Sequence, residues 1–373
     1  MKKNKLGLYI HIPFCIKKCR YCDFVSGPAE GSAREEYLEV LGAEIKDAGL
    51  LFADKYEVDT VFFGGGTPTT LSGEQLKALL CRIRDTFEGS FEEISCEANP
   101  GTIDDKKLKD LKAAGFTRLS IGVQSFDDGV LKQLGRIHSA SEAEKAVKSA
   151  LDAGFETNLD LMLGVPGQSL KSWENSLERA IELRTHHLSF YSLQLEEGTP
   201  LYQDYRFGKL VLPTWEENRA MYHTAVRRIK QAGYHHYEIS NAAKPGYECR
   251  HNLKYWTMAE YLGLGRSAYS YIDGKRFGSY PIGKSYKAQI KPQSAFDAKS
   301  DFIFTALRLI DGFEDSSYFK LFGVSFFGEF KEIYDKLVID EMLECEGGRI
   351  KFTEKGLDHT NEIMAELIAA IKQ

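Results

Sequence analysis

The sequence predicts an α/β protein whose parallel strands form a sheet that curls into an open or partial barrel. Strand-like apolar runs alternate with helical stretches along the first 240 residues, which is typical of repeated β-α units. Glycines or polar residues end several of these runs, as at the ligand-binding edge of parallel sheets. The chain has about six such units, fewer than the eight of a complete barrel, and a doubly wound open sheet is the alternative.

The elements follow one another in a regular order. Residues 6–12 predict a strand, and residues 32–52 predict a helix because they open like a capping box and repeat apolar residues at helical spacing. The run at 58–63 ends in three glycines, followed by a polar helix start at Ser72. The later predicted strands are 91–96, 118–123, 157–163, 188–193 and 235–239, and the later predicted helices are near 106–114, 141–153, 172–184 and 216–232.

A short loop after the first predicted strand carries three cysteines. Cys15, Cys19 and Cys22 are spaced C-x3-C-x2-C, so one loop can aim three thiolates at a polynuclear iron–sulfur cluster. Three thiolates on a four-iron cube leave one iron open to a small molecule. The alternatives are a zinc site completed by His11 or a distant residue, and a chance cluster of buried thiols, which the polar and basic residues of the loop disfavour.

Composition restricts the compartment and the partners. Seven cysteines is an odd number in a chain without a secretory signal, which disfavours a disulfide framework and predicts a reducing, cytoplasmic location. A formal net charge of −6 argues against a general nucleic-acid binder. The sequence has no apolar run near the roughly 20 residues of a spanning helix, so we do not expect an integral membrane protein.

The cysteine loop resembles that of the radical S-adenosylmethionine (SAM) superfamily. The spacing matches, and an aromatic residue, Tyr21, precedes the last cysteine. Within the superfamily, H-I-P-F-C and Y-C-D-F are similar to segments of the group that contains oxygen-independent coproporphyrinogen oxidases and haem chaperones. The resemblance implies a partial (β/α)6 barrel, a [4Fe-4S] cluster on Cys15, Cys19 and Cys22, and SAM chelating the open iron.

Residues at the ends of the predicted strands occur in the order of the family's SAM-contact segments. These segments read G-G-G-T-P-T, E-A-N-P, G-V-Q-S-F, L-G-R-x-H and D-L-M-L-G-V-P-G-Q. Glycines allow close backbone approach, and acids can accept hydrogen bonds from a ribose or ammonium group, although each alone is also an ordinary turn or helix cap. The resemblance implies these SAM-site residues: Tyr9, Tyr21, Gly65, Gly66, Thr67, Glu97, Gln124, Arg136 and Asp160.

The pattern changes beyond about residue 240. We predict a core barrel over 1–240, a connecting segment over 241–295, and a mainly helical, winged-helix-like domain over 296–373 that acts as a lid or partner domain. The connecting segment contains H-N-x-x-Y-W, which resembles the segment that sets the haem chaperones apart. Its histidine, His251, is a candidate haem ligand because histidine commonly binds haem iron. The alternative is a core histidine that holds a hydrogen bond.

Two functions fit this resemblance. An oxidase would decarboxylate propionates with a SAM-derived radical, and a haem chaperone would bind haem and pass it to haem proteins such as respiratory enzymes. The oxidases carry a further cysteine where this chain has Phe24, and a longer stretch before the loop than the fourteen residues preceding Cys15. Together with H-N-x-x-Y-W, this favours the chaperone, with no catalytic residue assigned. A third possibility is a radical SAM enzyme that acts on an unknown substrate. An electron donor is expected if SAM is cleaved. The protein could also form a dimer, which the sequence does not decide.

Overall fold

The computed structural model describes residues 3–282, 285–290 and 293–371. These residues form a sheet of twelve strands, a second sheet of three strands, and the helices that connect them. The strands are β1 (Asn4–Ile12), β2 (Tyr56–Gly65), β3 (Gly89–Ala98), β4 (Arg118–Gln124), β5 (Glu156–Leu163), β6 (His187–Ser192), β7 (His235–Glu238), β8 (Asn241–Ala243), β9 (Tyr261–Leu264), β10 (Tyr269–Ile272), β11 (Lys275–Ile282), β12 (Ser285–Ile290), β13 (Phe313–Glu314), β14 (Leu343–Glu346) and β15 (Arg349–Phe352). The helices are α1 (Gly31–Phe52), α2 (Gly73–Thr86), α3 (Asp105–Ala114), α4 (Asp128–Leu134), α5 (Ala140–Asp152), α6 (Leu170–Glu182), α7 (Pro200–Arg206), α8 (Trp215–Gln231), α9 (Arg250–Trp256), α10 (Ala295–Ala306), α11 (Asp315–Phe322), α12 (Phe326–Ile339) and α13 (Thr360–Ala369).

The predicted barrel is confirmed. Strands β1 to β6 lie side by side in chain order, and each is parallel to its neighbour. Their carboxyl ends therefore share one edge, where ligands bind in such sheets. Parallel strands are covered on both faces. In β1 the side chains of Leu8, Ile10 and Ile12 on one face are fully buried, and His11 on the other face is buried as well.

Local sequence signals set the helix boundaries. Helix α2 starts at a capping box in which Ser72 and Gln75 each accept a backbone N–H of the other, and Leu76, Leu80 and Ile83 form its buried stripe. The start of α5 uses the same device, with Ser139 and Glu142. These signals explain why the predicted helix starts agree closely with the observed ones.

The edges of the large sheet differ from a simple continuation of β-α units. Strand β7 does not pair with β6 directly. It joins the sheet through β8, which is antiparallel to both β7 and β6. Strand β9 pairs in parallel with β1, and β10 to β12 extend that edge in antiparallel order. Thus the stretch 241–295, expected to be a connection, supplies five strands to the sheet. The prediction relied on strands that alternate with helices. These five strands are short or have no long helix between them, so that alternation did not reveal them.

The C-terminal residues form a separate hydrophobic core of the predicted mainly helical kind. Its largest fully buried side chains are Tyr318, Phe326 and Phe330, and helices α10 to α13 pack around the three-stranded sheet β13-β15-β14. An ion pair of 3.1 Å between Arg308 and Glu238 joins this part to the barrel. Among the described residues, every helix is too short or too polar to cross a membrane.

Candidate cofactor site

The cysteine loop follows β1 at the carboxyl edge of the barrel. The loop is closed on itself, since the Cys15 amide donates to the Gly27 carbonyl (3.0 Å) and the Gly27 amide donates to the Pro13 carbonyl (2.9 Å). A second anchor holds its middle, where the Arg20 amide donates to the Leu134 carbonyl (3.1 Å) and the Arg20 guanidinium pairs with Asp204. The barrel therefore fixes a segment that has little secondary structure of its own.

The three thiols of this loop share one cavity of about 440 Å³. Cys15 is buried, Cys19 and Cys22 are half-buried, and all three are free thiols. Within the described ranges, no group of three or more His, Cys, Asp or Glu side chains is arranged to hold a single metal ion. The cysteines lie around a shared space large enough for a group with several metal atoms and a ligand.

Arg136 links the cysteine loop to the strand ends. Its guanidinium donates to the sulfur of Cys19 at 3.4 Å, and to the side-chain oxygen of Asn99 and the Gly122 carbonyl. Asn99 in turn donates to the hydroxyl of Thr67 (2.8 Å), which lies 3.9 Å from the sulfur of Cys15. A buried cation next to a thiolate stabilises the charged form of the sulfur.

Two buried carboxyl groups form the other side of the cavity. Burial, with the nearby charge of Asp160, raises the pKa of Glu97 to about 7, although the Gly65 amide donates to it at 3.0 Å. Burial also raises the pKa of Asp160, which accepts a hydrogen bond from Asn158 (2.7 Å). Neither carboxyl group has an ion-pair partner among the described residues. A cationic ligand with N–H or O–H donors would satisfy both groups.

Glycines bring the backbone of β2 close to the loop. Gly65 has φ +112°, and a Cβ there would lie 2.5 Å from the ring of His11. A Cβ on Gly66 would lie 2.7 Å from the Phe14 carbonyl oxygen and 2.9 Å from the Phe14 nitrogen. Only glycine fits at these two positions without a shift of the neighbouring chain.

The structure brings eight of the nine predicted SAM-site residues to the wall of the cysteine cavity. They are Tyr21, Gly65, Gly66, Thr67, Glu97, Gln124, Arg136 and Asp160. The ninth, Tyr9, lines a neighbouring cavity instead, and its hydroxyl lies 3.1 Å from Nδ1 of His11. Residue-by-residue roles toward SAM stay a prediction.

Several cavity residues were not predicted from the sequence, among them Asn99, Ser120 and Tyr191. Asn99 lies in the quoted segment E-A-N-P and could have been included, because it directly follows the acid-bearing strand end. Tyr191 gives no such signal. Its hydroxyl donates to Gln124 (2.9 Å), a contact that depends on the pairing of distant strands.

His251 lies outside both cavities. Its side chain is fully buried, Nδ1 lies 2.9 Å from the Thr60 hydroxyl, and Nε2 lies 2.9 Å from the Tyr255 hydroxyl. Burial lowers the pKa of His251 to about 3, so its ring is neutral. In this arrangement both ring nitrogens are occupied by hydrogen bonds.

The residues present fit a cubane cluster and SAM. Three cysteines would hold the cluster, and the shared cavity leaves room for a ligand on an iron that no protein sulfur binds. The paired carboxyl groups suit the ammonium and ribose of SAM, and Arg136 suits its carboxylate. When bound and reduced, such a cluster would supply the electron that cleavage of SAM requires.

Comparisons with known proteins show the family of the chain. Residues 9–180 match the model of the radical SAM superfamily, so fold and site define a radical SAM protein. A Heme chaperone HemW of Bacillus subtilis is 35% identical over 97% of this chain and 99% of its own length. A Heme chaperone HemW of Escherichia coli is 42% identical over 73% of this chain and 71% of its own length. The chain belongs to the HemW family of radical SAM proteins.

A solved structure extends the likeness in fold. The coproporphyrinogen III oxidase HemN of Escherichia coli superposes with a TM-score of 0.83, covering 99% of this chain and 91% of HemN. The sequence identity is 24%, so this likeness describes the fold alone.

We predict that SAM affinity rises with pH because of Glu97. Its pKa of about 7 leaves much of the carboxyl group neutral at pH 6, and a cationic ligand binds better once the group is charged. The other titratable groups around it are Asp160, Cys96, Tyr9 and Tyr255, and the raised pKa values of the thiol and the two phenols keep these three groups neutral here. Affinity should increase about tenfold from pH 6 to pH 8, as measured by equilibrium dialysis of the reconstituted protein.

Glu97→Gln is the matched control for this profile. The amino group of SAM titrates in both experiments, so the difference between the two profiles isolates Glu97. Parallel profiles for wild type and Glu97→Gln would refute the assignment.

Proposed function

We propose that the protein is a haem chaperone that carries a [4Fe-4S] cluster on Cys15, Cys19 and Cys22, binds SAM beside it, and delivers haem to haem proteins such as respiratory enzymes. The observation that carries the proposal is the similarity to the Bacillus subtilis Heme chaperone HemW along nearly the whole of both chains. The cavity shared by the three thiols and the buried carboxyl groups supports the cluster and SAM.

The alternative, an oxygen-independent coproporphyrinogen oxidase, is less well supported. Its support is the likeness to HemN, which at 24% identity concerns the fold. Phe24 stands where the oxidases carry their additional cysteine. Its side chain is 65% exposed in the wall of the cavity, so an apolar ring stands there in place of a thiol.

One sample tests the two functions together. Anaerobically reconstituted protein is titrated with haem, followed by its Soret band, then mixed with an apo haem protein, and separately incubated with coproporphyrinogen, SAM and a reductant. We expect haem binding and transfer without decarboxylation. Decarboxylation by wild type that is lost in Cys19→Ala would reverse the assignment.

The role of His251 as a haem ligand stays a prediction. To bind iron, its ring would have to give up its hydrogen bond to Thr60 or to Tyr255. Ligation predicts that His251→Ala shifts the Soret band and weakens haem binding. An unchanged Soret band and affinity would leave His251 with the role that the contacts indicate, which is to hold Tyr255 in place.

The location, the electron donor and the oligomeric state are further parts of this proposal. A cytoplasmic location fits a chain with seven free thiols. An electron donor is needed only if SAM is cleaved, and cleavage is tested by the release of 5′-deoxyadenosine from the reconstituted protein. A homodimer stays a prediction, which light scattering would test.

A further inference from the structure

A second cavity, of about 670 Å³, lies beside the cysteine cavity and has an unusual lining. Eight of its nineteen lining residues are Phe, Tyr or Trp, against 12% in the whole chain. They come from separate parts of the fold: β1, the cysteine loop, the end of α9, strands β9 and β10, and helix α10. We call this space the aromatic cavity. The aromatic residues are Tyr9, Phe24, Tyr255, Trp256, Tyr261, Tyr269, Tyr271 and Phe304.

We propose that the aromatic cavity holds the tetrapyrrole of haem, an inference that rests on the proposed function and assigns it a site. Its volume is within the roughly 300–1,000 Å³ of pockets that enclose small ligands and cofactors. Flat aromatic walls suit the faces of a porphyrin, because they bury its apolar surface and can stack against it.

Arg276 is the cationic side chain of the cavity wall, which also contains the acids Asp23, Glu97 and Asp301. Arg276 lies exposed in its lining, over the ring of Tyr269 (5.3 Å) and paired with Asp301 at 3.1 Å. The indole N–H of Trp256 is buried without a hydrogen-bond partner in the described part of the chain. Of these two groups, only the exposed Arg276 lies where a propionate could accept a hydrogen bond from it.

The position of the cavity connects it to both sequence motifs. Tyr255 and Trp256, the last two residues of H-N-x-x-Y-W, form part of its wall, and His251 holds the hydroxyl of Tyr255 at 2.9 Å. The motif thus reaches the cavity through its aromatic residues. Asp23, Phe24, Gly65 and Glu97 line both cavities, so a tetrapyrrole here would lie against the cysteine loop.

Two half-exposed rings on different elements provide the test. Phe304 on α10 is 51% exposed and Tyr269 on β10 is 47% exposed, so each can be replaced by Ala with little effect on folding. Phe319 on α11 is 56% exposed and lies outside the cavity, which makes Phe319→Ala the matched control. Unfolding temperature and cluster absorbance of each variant check that the protein is intact.

The probes are ferric haem and metal-free protoporphyrin, each titrated into the reconstituted full-length protein. The metal-free ring has no axial ligand, so its binding reports the cavity alone. We expect both probes to bind wild type, and Phe304→Ala and Tyr269→Ala each to lower both affinities by roughly tenfold, the scale of a lost aromatic contact with its buried area. Phe319→Ala should bind as wild type does.

Two other outcomes are distinguishable. Haem binding that is unchanged in Phe304→Ala and Tyr269→Ala, or haem binding without porphyrin binding, would overturn the cavity assignment and leave the chaperone function intact. Failure of wild type to bind haem would remove the proposed function itself.

Discussion

Replacing Cys19 by Ala is expected to abolish the iron–sulfur absorbance of anaerobically reconstituted protein. A cubane held by three thiolates loses a ligand when one cysteine is replaced by alanine. The group next to the missing sulfur is the Arg136 guanidinium, at 3.4 Å, and a cation cannot replace a thiolate as an iron ligand. Cys15→Ala and Cys22→Ala should have the same effect, because all three thiols line one cavity. Iron and sulfide analysis with the absorbance near 400 nm, roughly where thiolate-bound clusters absorb, measures the loss.

Cys81 and Cys345 are the matched controls for this experiment. Both are exposed free thiols far from the loop in the fold, one on α2 and one on β14. Cys81→Ala and Cys345→Ala should reconstitute as wild type does. Full cluster content in Cys19→Ala would mean that the C-x3-C-x2-C loop is not the ligand set.

Gly66→Ala is expected to disturb both the cysteine loop and the SAM cavity. The added methyl group would meet the backbone of Phe14, which directly precedes Cys15 and whose carbonyl accepts the Thr67 amide at 2.7 Å. Backbone cannot move aside as a flexible side chain does, so we expect a loss of about 1–3 kcal/mol in the free energy of unfolding, as for overpacking. SAM affinity should fall about tenfold or more if a similar energy is lost from the site.

Gly101→Ala is the control for Gly66→Ala. Gly101 lies in the turn after β3, and a Cβ there would have open space around it. Urea unfolding and SAM binding should match wild type. If Gly66→Ala also behaves as wild type, the close approach of β2 to the loop is not needed for the site.

Local signals made the barrel and most of the cavity predictable from the sequence. Several parallel strands are apolar runs that end in glycine or a polar residue, and capping residues such as Ser72 mark the helices that follow. Because parallel strands share one carboxyl edge, the polar residues at the strand ends were expected to lie together, and the family resemblance selected those assigned to the SAM site. The family resemblance selected Arg136, whose place in the L-G-R-x-H segment has no periodic signal.

The parts of the fold and the site that depend on contacts between distant segments could not be predicted from the sequence. Tyr9 was predicted to share the SAM site with Glu97, yet Tyr9 lines only the aromatic cavity, whereas Glu97 lines both cavities. Nothing in H-N-x-x-Y-W reveals that His251 is enclosed by Thr60 of β2 and by Tyr255 one helical turn later. The strands β9 to β12 escaped prediction because pairing places them in the sheet, β9 with β1 and β10 to β12 in turn beyond it, and not their own periodicity.

The most direct measurement is electron paramagnetic resonance of the reduced, reconstituted protein before and after SAM is added. The account predicts the signal of a reduced [4Fe-4S] cluster whose g-values change with SAM, because SAM occupies the iron that lacks a cysteine. A protein that binds zinc or no metal, or a cluster signal that SAM leaves unchanged, would contradict it.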